Sequence, residues 1–148
     1  MAIEPVRSQS DRPTVLFLCV HNAGRSQMAA GFTIDMGADS IDVLSAGSNP
    51  GEALNPMAVQ AMSEVGIDIS GRVPQRWTSD MLQMVDVVVS MGCGDDCPVV
   101  PGTRRVDWDL ADPAGQPIEV VREVRDEIRD HVAALLGELG VEVPAGRR

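Results

Sequence analysis

The chain has 148 residues, a length that fits a single domain with one hydrophobic core. Its formal net charge of -10 argues against nucleic-acid binding, which needs clustered basic residues to neutralise phosphates. The longest unbroken apolar run has six residues, too few to cross a bilayer, and the first thirteen residues lack the apolar core of a secretory signal. We therefore expect a cytoplasmic protein with no membrane partner.

The predicted elements alternate between strands and helices. Residues 14–19 form a continuous apolar run that is typical of a strand buried on both faces. Further strands are predicted at 41–46, 86–91 and 105–109, and helices at 26–37, 59–65, 80–85 and 121–139. This order predicts an α/β fold with a doubly wound, four-stranded parallel sheet and flanking helices. The catalytic domain is expected at 14–139, between a flexible N-terminal segment (1–13) and a flexible C-terminal tail (140–148).

The loop after the first strand has the composition of an anion-binding site. Ligands of open parallel sheets bind at the carboxyl ends of the strands, and here the strand ends at Cys19 and leads quickly into a helix. Gly24 and the small Ala23 allow successive amides to curve around one anion, and the helix N-terminus adds partial positive charge. The predicted oxyanion-binding residues are Val20, His21, Asn22, Ala23, Gly24, Arg25 and Ser26.

Cys19 is the candidate nucleophile of this loop. The loop amides and Arg25 are expected to hold it as a thiolate near neutral pH, and Ser26 is placed to hydrogen-bond the sulfur. All twelve basic side chains are arginines, so the anion would be bound through a bidentate guanidinium or backbone amides. A Cys followed six residues later by an Arg is a weak motif by itself, and an ordinary buried strand cysteine is the alternative.

Five segments resemble, in the same order, those of the low-molecular-weight protein tyrosine phosphatase superfamily, and within it the phosphatase-like arsenate reductases. They lie between residue 14 and about residue 138 and read CVHNAGRSQMA, SAGSNP, NPMAVQAMSEVGIDIS, MGCGDDCPVVPG and WDLADPAGQ. The resemblance implies Cys19 as nucleophile, Arg25 as oxyanion ligand, Asp112 as general acid and Asn22 as the residue that shapes the loop. A simple turn residue before Pro113 is the alternative for Asp112.

The residues after Asp112 favour an inorganic oxyanion over an aryl phosphate. Phosphatases of the family resemble one another in placing aromatic residues there, whereas Ala114 and Gly115 follow here and the chain has no Tyr. The expected function is arsenate reduction to arsenite through a Cys19–arsenate ester, in arsenic detoxification. One alternative is a low-molecular-weight phosphatase that hydrolyses phosphate monoesters through a phosphocysteine, and another is a non-catalytic oxyanion-binding module.

Cys93 and Cys97 are the candidate thiols for the redox step. The resemblance implies that a second thiol attacks the Cys19 sulfur, releasing As(III) and leaving a disulfide. Cys93, next to the predicted strand end, would attack first, and Cys97 would then close a disulfide with Cys93. Their spacing is closer than in the usual thioredoxin-coupled type, which leaves the order of thiol transfer open. The reductant is expected to be external, either thioredoxin-like or mycothiol with mycoredoxin. Neither a bound cofactor nor a metal is expected; zinc is the alternative for these two cysteines.

Overall fold

The computed structural model describes residues 12–92, 98, 100–141 and 143. Along them the elements are β1 (Thr14–Cys19), α1 (Arg25–Gly37), β2 (Asp42–Gly47), α2 (Pro56–Glu64), α3 (Ser79–Met84), β3 (Val87–Ser90), β4 (Arg104–Asp107) and α4 (Ile118–Glu138). A 3₁₀ turn (Ala38–Ser40) joins α1 to β2. The predicted α/β order is confirmed, with element boundaries shifted by a few residues.

Within the described chain, the strands form one parallel four-stranded sheet in the order β2-β1-β3-β4. β1 lies in the interior of the sheet and is buried along its whole length, as its continuous apolar sequence predicts. Cys19 pairs with Gly47 of β2, and Leu18 pairs with Ser90 of β3. Because the strands are parallel, their carboxyl ends meet at one edge, where the loop after Cys19 lies.

The two faces of the sheet are covered unequally. Side chains alternate between faces along a strand, so Val15 and Phe17 of β1 join a large cluster with α1, α2 and α4. Leu16 and Leu18 point the other way, into a smaller cluster that includes Met81 of α3. β1 is therefore packed from both sides, which gives Cys19 a rigid support.

The packed residues reach slightly beyond the predicted domain limits. The carbonyl of Pro13 accepts a hydrogen bond from the amide of Asp42 at 2.9 Å, and Val141 is buried in the core after α4. The flexibility predicted for 1–11 and 144–148 concerns residues outside those described.

In the described ranges, no helix combines the length and the apolar character that crossing a membrane requires.

Candidate active site

The loop between β1 and α1 leaves a row of backbone amides open. Gly24 is the N-terminal cap residue of α1, and no side chain caps the helix there. The amides of residues 23–26 have no acceptor within the described part of the chain. Unpaired amides at a helix N-terminus attract anions through their dipoles, so the loop has the form of an anion cradle.

Cys19 lies at the floor of this cradle, with 3% of its surface exposed. Its sulfur accepts the amide N–H of Asn22 at 3.2 Å and lies 2.9 Å from the Ser26 Oγ. The Asn22 Nδ2 donates to that oxygen at 2.7 Å, which leaves the Ser26 hydroxyl proton able to donate to the sulfur. A backbone N–H and a hydroxyl thus lie within hydrogen-bond distance of the sulfur.

Asn22 holds the shape of the loop. It is fully buried and has a φ of 51°, in the left-handed region that asparagine tolerates better than most residues. Its Oδ1 accepts hydrogen bonds from the Gln27 side chain and from the backbone N–H of Gln75, both at 3.0 Å. This geometry supports the loop-shaping role that the sequence resemblance implies.

Arg25 and Asp112 face each other at the pocket. The Arg25 Nη1 donates to the Leu110 carbonyl at 3.3 Å, and the Arg25 Nη2 lies 3.8 Å from the Asp112 Oδ2. The Asp112 side chain is 55% exposed, and its Oδ1 accepts the Ala114 N–H at 3.0 Å. Arg25 is thus buried and held in place, while Asp112 lies at the rim within reach of solvent.

These residues surround a pocket of about 40 Å³. It is lined by Cys19, His21, Ala23, Gly24, Arg25, Asn55, Asp112, Pro113 and Ala114. These lining residues include no Phe, Tyr or Trp. A larger cavity of about 480 Å³ lies elsewhere, between α1 and the end of α4, and its lining includes neither a cysteine nor a histidine.

The structure brings Cys19 and Arg25, which belong to one loop, together with Asp112 from a distant part of the sequence. The His21 side chain is exposed, and its Nδ1 donates to the Asn49 carbonyl at 3.1 Å. Cys93 and Cys97 lie outside the described residues. Among the residues that are described, no group of three or more His, Cys, Asp or Glu side chains could hold a metal ion.

The sequence analysis assigned no role to three residues that support the loop. The backbone of Gly47 lies against it, because a Cβ there would be 2.5 Å from the Val20 carbonyl oxygen. The Asn55 amide donates to the Ala23 carbonyl at 2.9 Å, and Gln27 bonds both the backbone and the side chain of Asn22. Gly47 and Asn55 lie in the segments SAGSNP and NPMAVQAMSEVGIDIS, so the resemblance marked these places without explaining them.

Comparisons with known proteins identify the family to which this chain belongs. The sequence profile described as low molecular weight phosphotyrosine protein phosphatase matches residues 14–145. The glutaredoxin arsenate reductase of Synechocystis sp. is 40% identical over 128 residues, which cover 84% of this chain and 97% of that protein.

Two solved structures extend the comparison. A Corynebacterium glutamicum thioredoxin-dependent arsenate reductase has 38% identity and a TM-score of 0.78, and the match covers 88% of this chain but 63% of that chain. An arsenate reductase in the phosphate binding state has 38% identity and a TM-score of 0.77, covering 86% of this chain and 98% of that one. Since the family profile spans most of the sequence, this chain belongs to the low molecular weight phosphotyrosine protein phosphatase family.

Proposed function

We propose that this protein is an arsenate reductase with Cys19 as its nucleophile. The observation that carries the proposal is a buried sulfur with two hydrogen-bond donors at the floor of an amide cradle, next to the Arg25 guanidinium. The pocket of about 40 Å³ is far smaller than the roughly 300–1,000 Å³ of sites for drug-sized ligands. This size favours a small tetrahedral oxyanion, and the relatives named as arsenate reductases favour arsenate.

In the first step the Cys19 thiolate attacks arsenic. An S–As bond forms while one As–O bond breaks, and the departing oxygen takes a proton to leave as water. Asp112 would supply this proton as general acid, because its carboxyl lies at the rim opposite the cradle. Arg25 and the open amides of residues 23–26 would bind the remaining arsenate oxygens.

In the second step a thiolate attacks the Cys19 sulfur. An S–S bond forms, the S–As bond breaks, and its electron pair remains on arsenic, which leaves as arsenite. The two sulfurs supply the two electrons by becoming a disulfide. We expect Cys93 to be the attacking thiol and Cys97 to receive the disulfide from it.

The resulting disulfide requires an external thiol reductant. The relatives include a thioredoxin-dependent and a glutaredoxin arsenate reductase, which supports an external thiol reductant. We expect this reductant to be a cytoplasmic dithiol or low-molecular-weight thiol system. Thioredoxin and a mycothiol–mycoredoxin pair remain the two specific candidates.

The proposal is tested by following arsenate-dependent NADPH oxidation in the presence of thioredoxin and its reductase, and in parallel with a mycothiol–mycoredoxin system. We expect NADPH oxidation in one of the two systems. In the Cys19→Ser variant the rate should fall to background, because a serine hydroxyl is not ionised by this cradle at neutral pH. The variant should still bind phosphate by calorimetry, since Arg25 and the amides are retained.

A phosphatase would give the opposite result. Its cysteinyl ester is cleaved by water, so it would turn over an aryl phosphate without reductant and consume no NADPH with arsenate. That outcome would overturn the reductase proposal.

A further inference from the structure

A chain of hydrogen bonds leads from Cys19 through the protein interior to Arg72. The Ser26 hydroxyl contacts the Cys19 sulfur at 2.9 Å, and the Asn22 Nδ2 contacts the Ser26 Oγ at 2.7 Å. Behind them, the Gln27 Nε2 lies 3.0 Å from the Asn22 Oδ1. The Arg72 Nε closes the chain, 2.5 Å from the Gln27 Oε1. Four side-chain contacts therefore separate a guanidinium from the candidate nucleophile.

Every bond in this chain has its donor on the side of Arg72. A guanidinium only donates, so the Gln27 Oε1 must accept, which turns its Nε2 towards Asn22. The Asn22 Oδ1 then accepts, and its Nδ2 donates to Ser26. Since the Ser26 oxygen accepts from Asn22, its own proton is left for the sulfur. Arg72 thus holds the Gln27 amide in this orientation together with the backbone carbonyls of Asn22 and Val73, which accept from the Gln27 Nε2 at 3.0 and 3.4 Å. The Asn22 Oδ1 accepts both from Gln27 and from the Gln75 backbone N–H.

The charge of Arg72 has no carboxylate partner among the described residues. Besides Gln27, its guanidinium donates to the Ser45 Oγ at 3.1 Å, and none of the ion pairs between described residues includes it. Burial lowers the pKa of Arg72 from its ordinary value, but a guanidinium remains charged in proteins. The hydrogen-bond chain connects this half-buried cation to the Cys19 sulfur, and a positive charge at one end of such a chain favours a negative charge at the other.

Other charged groups around the sulfur lie on its pocket side. Arg25, His21 and Asp112 line the pocket into which Cys19 opens, whereas Arg72 reaches the sulfur from behind the loop, through buried side chains. Its contribution is therefore separate from that of the substrate-binding groups.

We propose that Arg72 is a positioning residue for Cys19, which acts through Gln27, Asn22 and Ser26 to keep a hydroxyl donating to the sulfur and so favours the thiolate. This inference rests on the proposed role of Cys19 as nucleophile. It concerns the state of the thiol before arsenate binds, so it is measured without substrate.

The test uses protein with Cys93→Ser and Cys97→Ser, in which Cys19 is the single thiol. The rate of alkylation by iodoacetamide is measured as a function of pH, together with thiolate absorbance. In Arg72→Met we expect the midpoint of the profile to move up by about one pH unit. At pH values below the midpoint, the fraction of Cys19 present as thiolate would then fall about tenfold. Arg72→Lys should show little of this shift and keep the midpoint close to that of the parent protein, since an ammonium can also donate to the Gln27 Oε1.

Arg76→Met is the matched control. Arg76 is exposed, lies four residues further on and donates to the Ser48 carbonyl at 2.7 Å, so its loss removes the same charge without touching the chain. We expect the profile of this variant to match that of the parent protein. Equal shifts in Arg72→Met and Arg76→Met would reject the proposal, because they would reflect net charge alone.

Gln27→Met tests the chain at its centre. It leaves Arg72 in place but interrupts the bonds, so it should reproduce the shift of Arg72→Met, and the double variant should show no further shift. Additive shifts would show that Arg72 acts by another route. Where Arg72→Met is too unstable to assay, Gln27→Met alone still decides, since an unchanged profile would reject the chain. The alkylation profiles are measured without arsenate, so they do not depend on whether the protein reduces it. The role of Arg72 and the proposed reductase activity can therefore fail separately.

Discussion

The two carboxylate oxygens of Asp112 have different surroundings. Oδ1 is held by the Ala114 N–H, whereas Oδ2 lies 3.8 Å from the Arg25 Nη2. The side chain is 55% exposed, so solvent reaches it directly. One oxygen thus fixes the orientation of the carboxylate, and the other is the one that would transfer a proton in the proposed mechanism.

Asp112→Asn should slow formation of the Cys19–arsenate ester by roughly a hundred- to ten-thousandfold, the range typical of general acids. The defect should be smaller with a nitrophenyl ester, whose phenolate leaves with little protonation. Single-turnover arsenite release measures the defect with arsenate, and nitrophenol release measures the defect with the nitrophenyl ester. Asp109→Asn, an exposed carboxylate of the same loop, serves as control and should behave like the parent. Equal defects of Asp112→Asn on both substrates would mean that Asp112 has only a structural role.

Gly92 positions Arg25 through its lack of a side chain. It has a φ of 89°, and a Cβ at this position would lie 2.5 Å from the Arg25 Nη1 and 3.2 Å from the Cζ. The sequence analysis identified Gly92 only as part of the Cys93 segment. The structure adds a direct contact with the guanidinium.

Gly92→Ala should lower kcat/KM for arsenate by up to about a hundredfold, because a displaced Arg25 no longer meets the oxyanion at the right place. Gly102→Ala is a matched control, since Gly102 also has a positive φ, of 80°, but a Cβ there would contact nothing within 4 Å. Both variants bear the backbone strain of a non-glycine residue, and only Gly92→Ala should lose activity. Steady-state kinetics with thermal melts would show this, and a similar loss in both variants would contradict it.

At the scale of elements, α2 and α4 are joined by an ion-pair cluster that the sequence analysis did not foresee. The i,i+4 spacing of Arg122 and Asp126 would allow these two residues to pair on the outer face of α4. Instead, Arg122 donates to Glu64 at the end of α2, at 2.6 and 2.9 Å, and Asp126 pairs with Arg125 at 2.9 Å. The i,i+4 rule describes an isolated helix, and here a neighbouring helix offered a better bidentate partner.

The cluster gives stability a defined pH dependence. Hydrogen bonds from Arg122, supported by Arg125, lower the pKa of Glu64 from 4.5 to about 2. A carboxylate with a lowered pKa contributes stability above its unfolded value, and this contribution is lost as the pH falls from 4.5 towards 2.

Glu64→Gln should therefore be less stable than the parent at neutral pH, with a difference that shrinks as the pH falls through this window. Urea unfolding at a series of pH values measures it. Glu127→Gln, at an exposed position of α4, should show no such trend. A difference between Glu64→Gln and the parent that stays constant with pH would contradict an ionic role for Glu64.

For the molecule as a whole, local patterns predicted what depends on local sequence. The apolar run 14–19 predicted a buried strand, and the next seven residues contain the anion cradle within one short loop. The support behind that loop could not be predicted in this way, because Arg72 meets Gln27 across 45 positions of sequence. Such contacts depend on how residues 71–77 cross the sheet edge, where Arg76 forms a bridge with Gly47. Hydrophobic periodicity does not predict polar pairs of this kind.

The pocket is assembled from segments that lie far apart in the sequence. The cradle that holds sulfur and anion is one continuous loop after β1, whereas the wall opposite it, Asp112, Pro113 and Ala114, follows β4. Asp112 lies against Arg25, whereas a larger side chain in place of Ala114 would change what fits beside the nucleophile. Changes in the segment after β4 are therefore one route by which a family named for phosphotyrosine chemistry can include proteins named arsenate reductases.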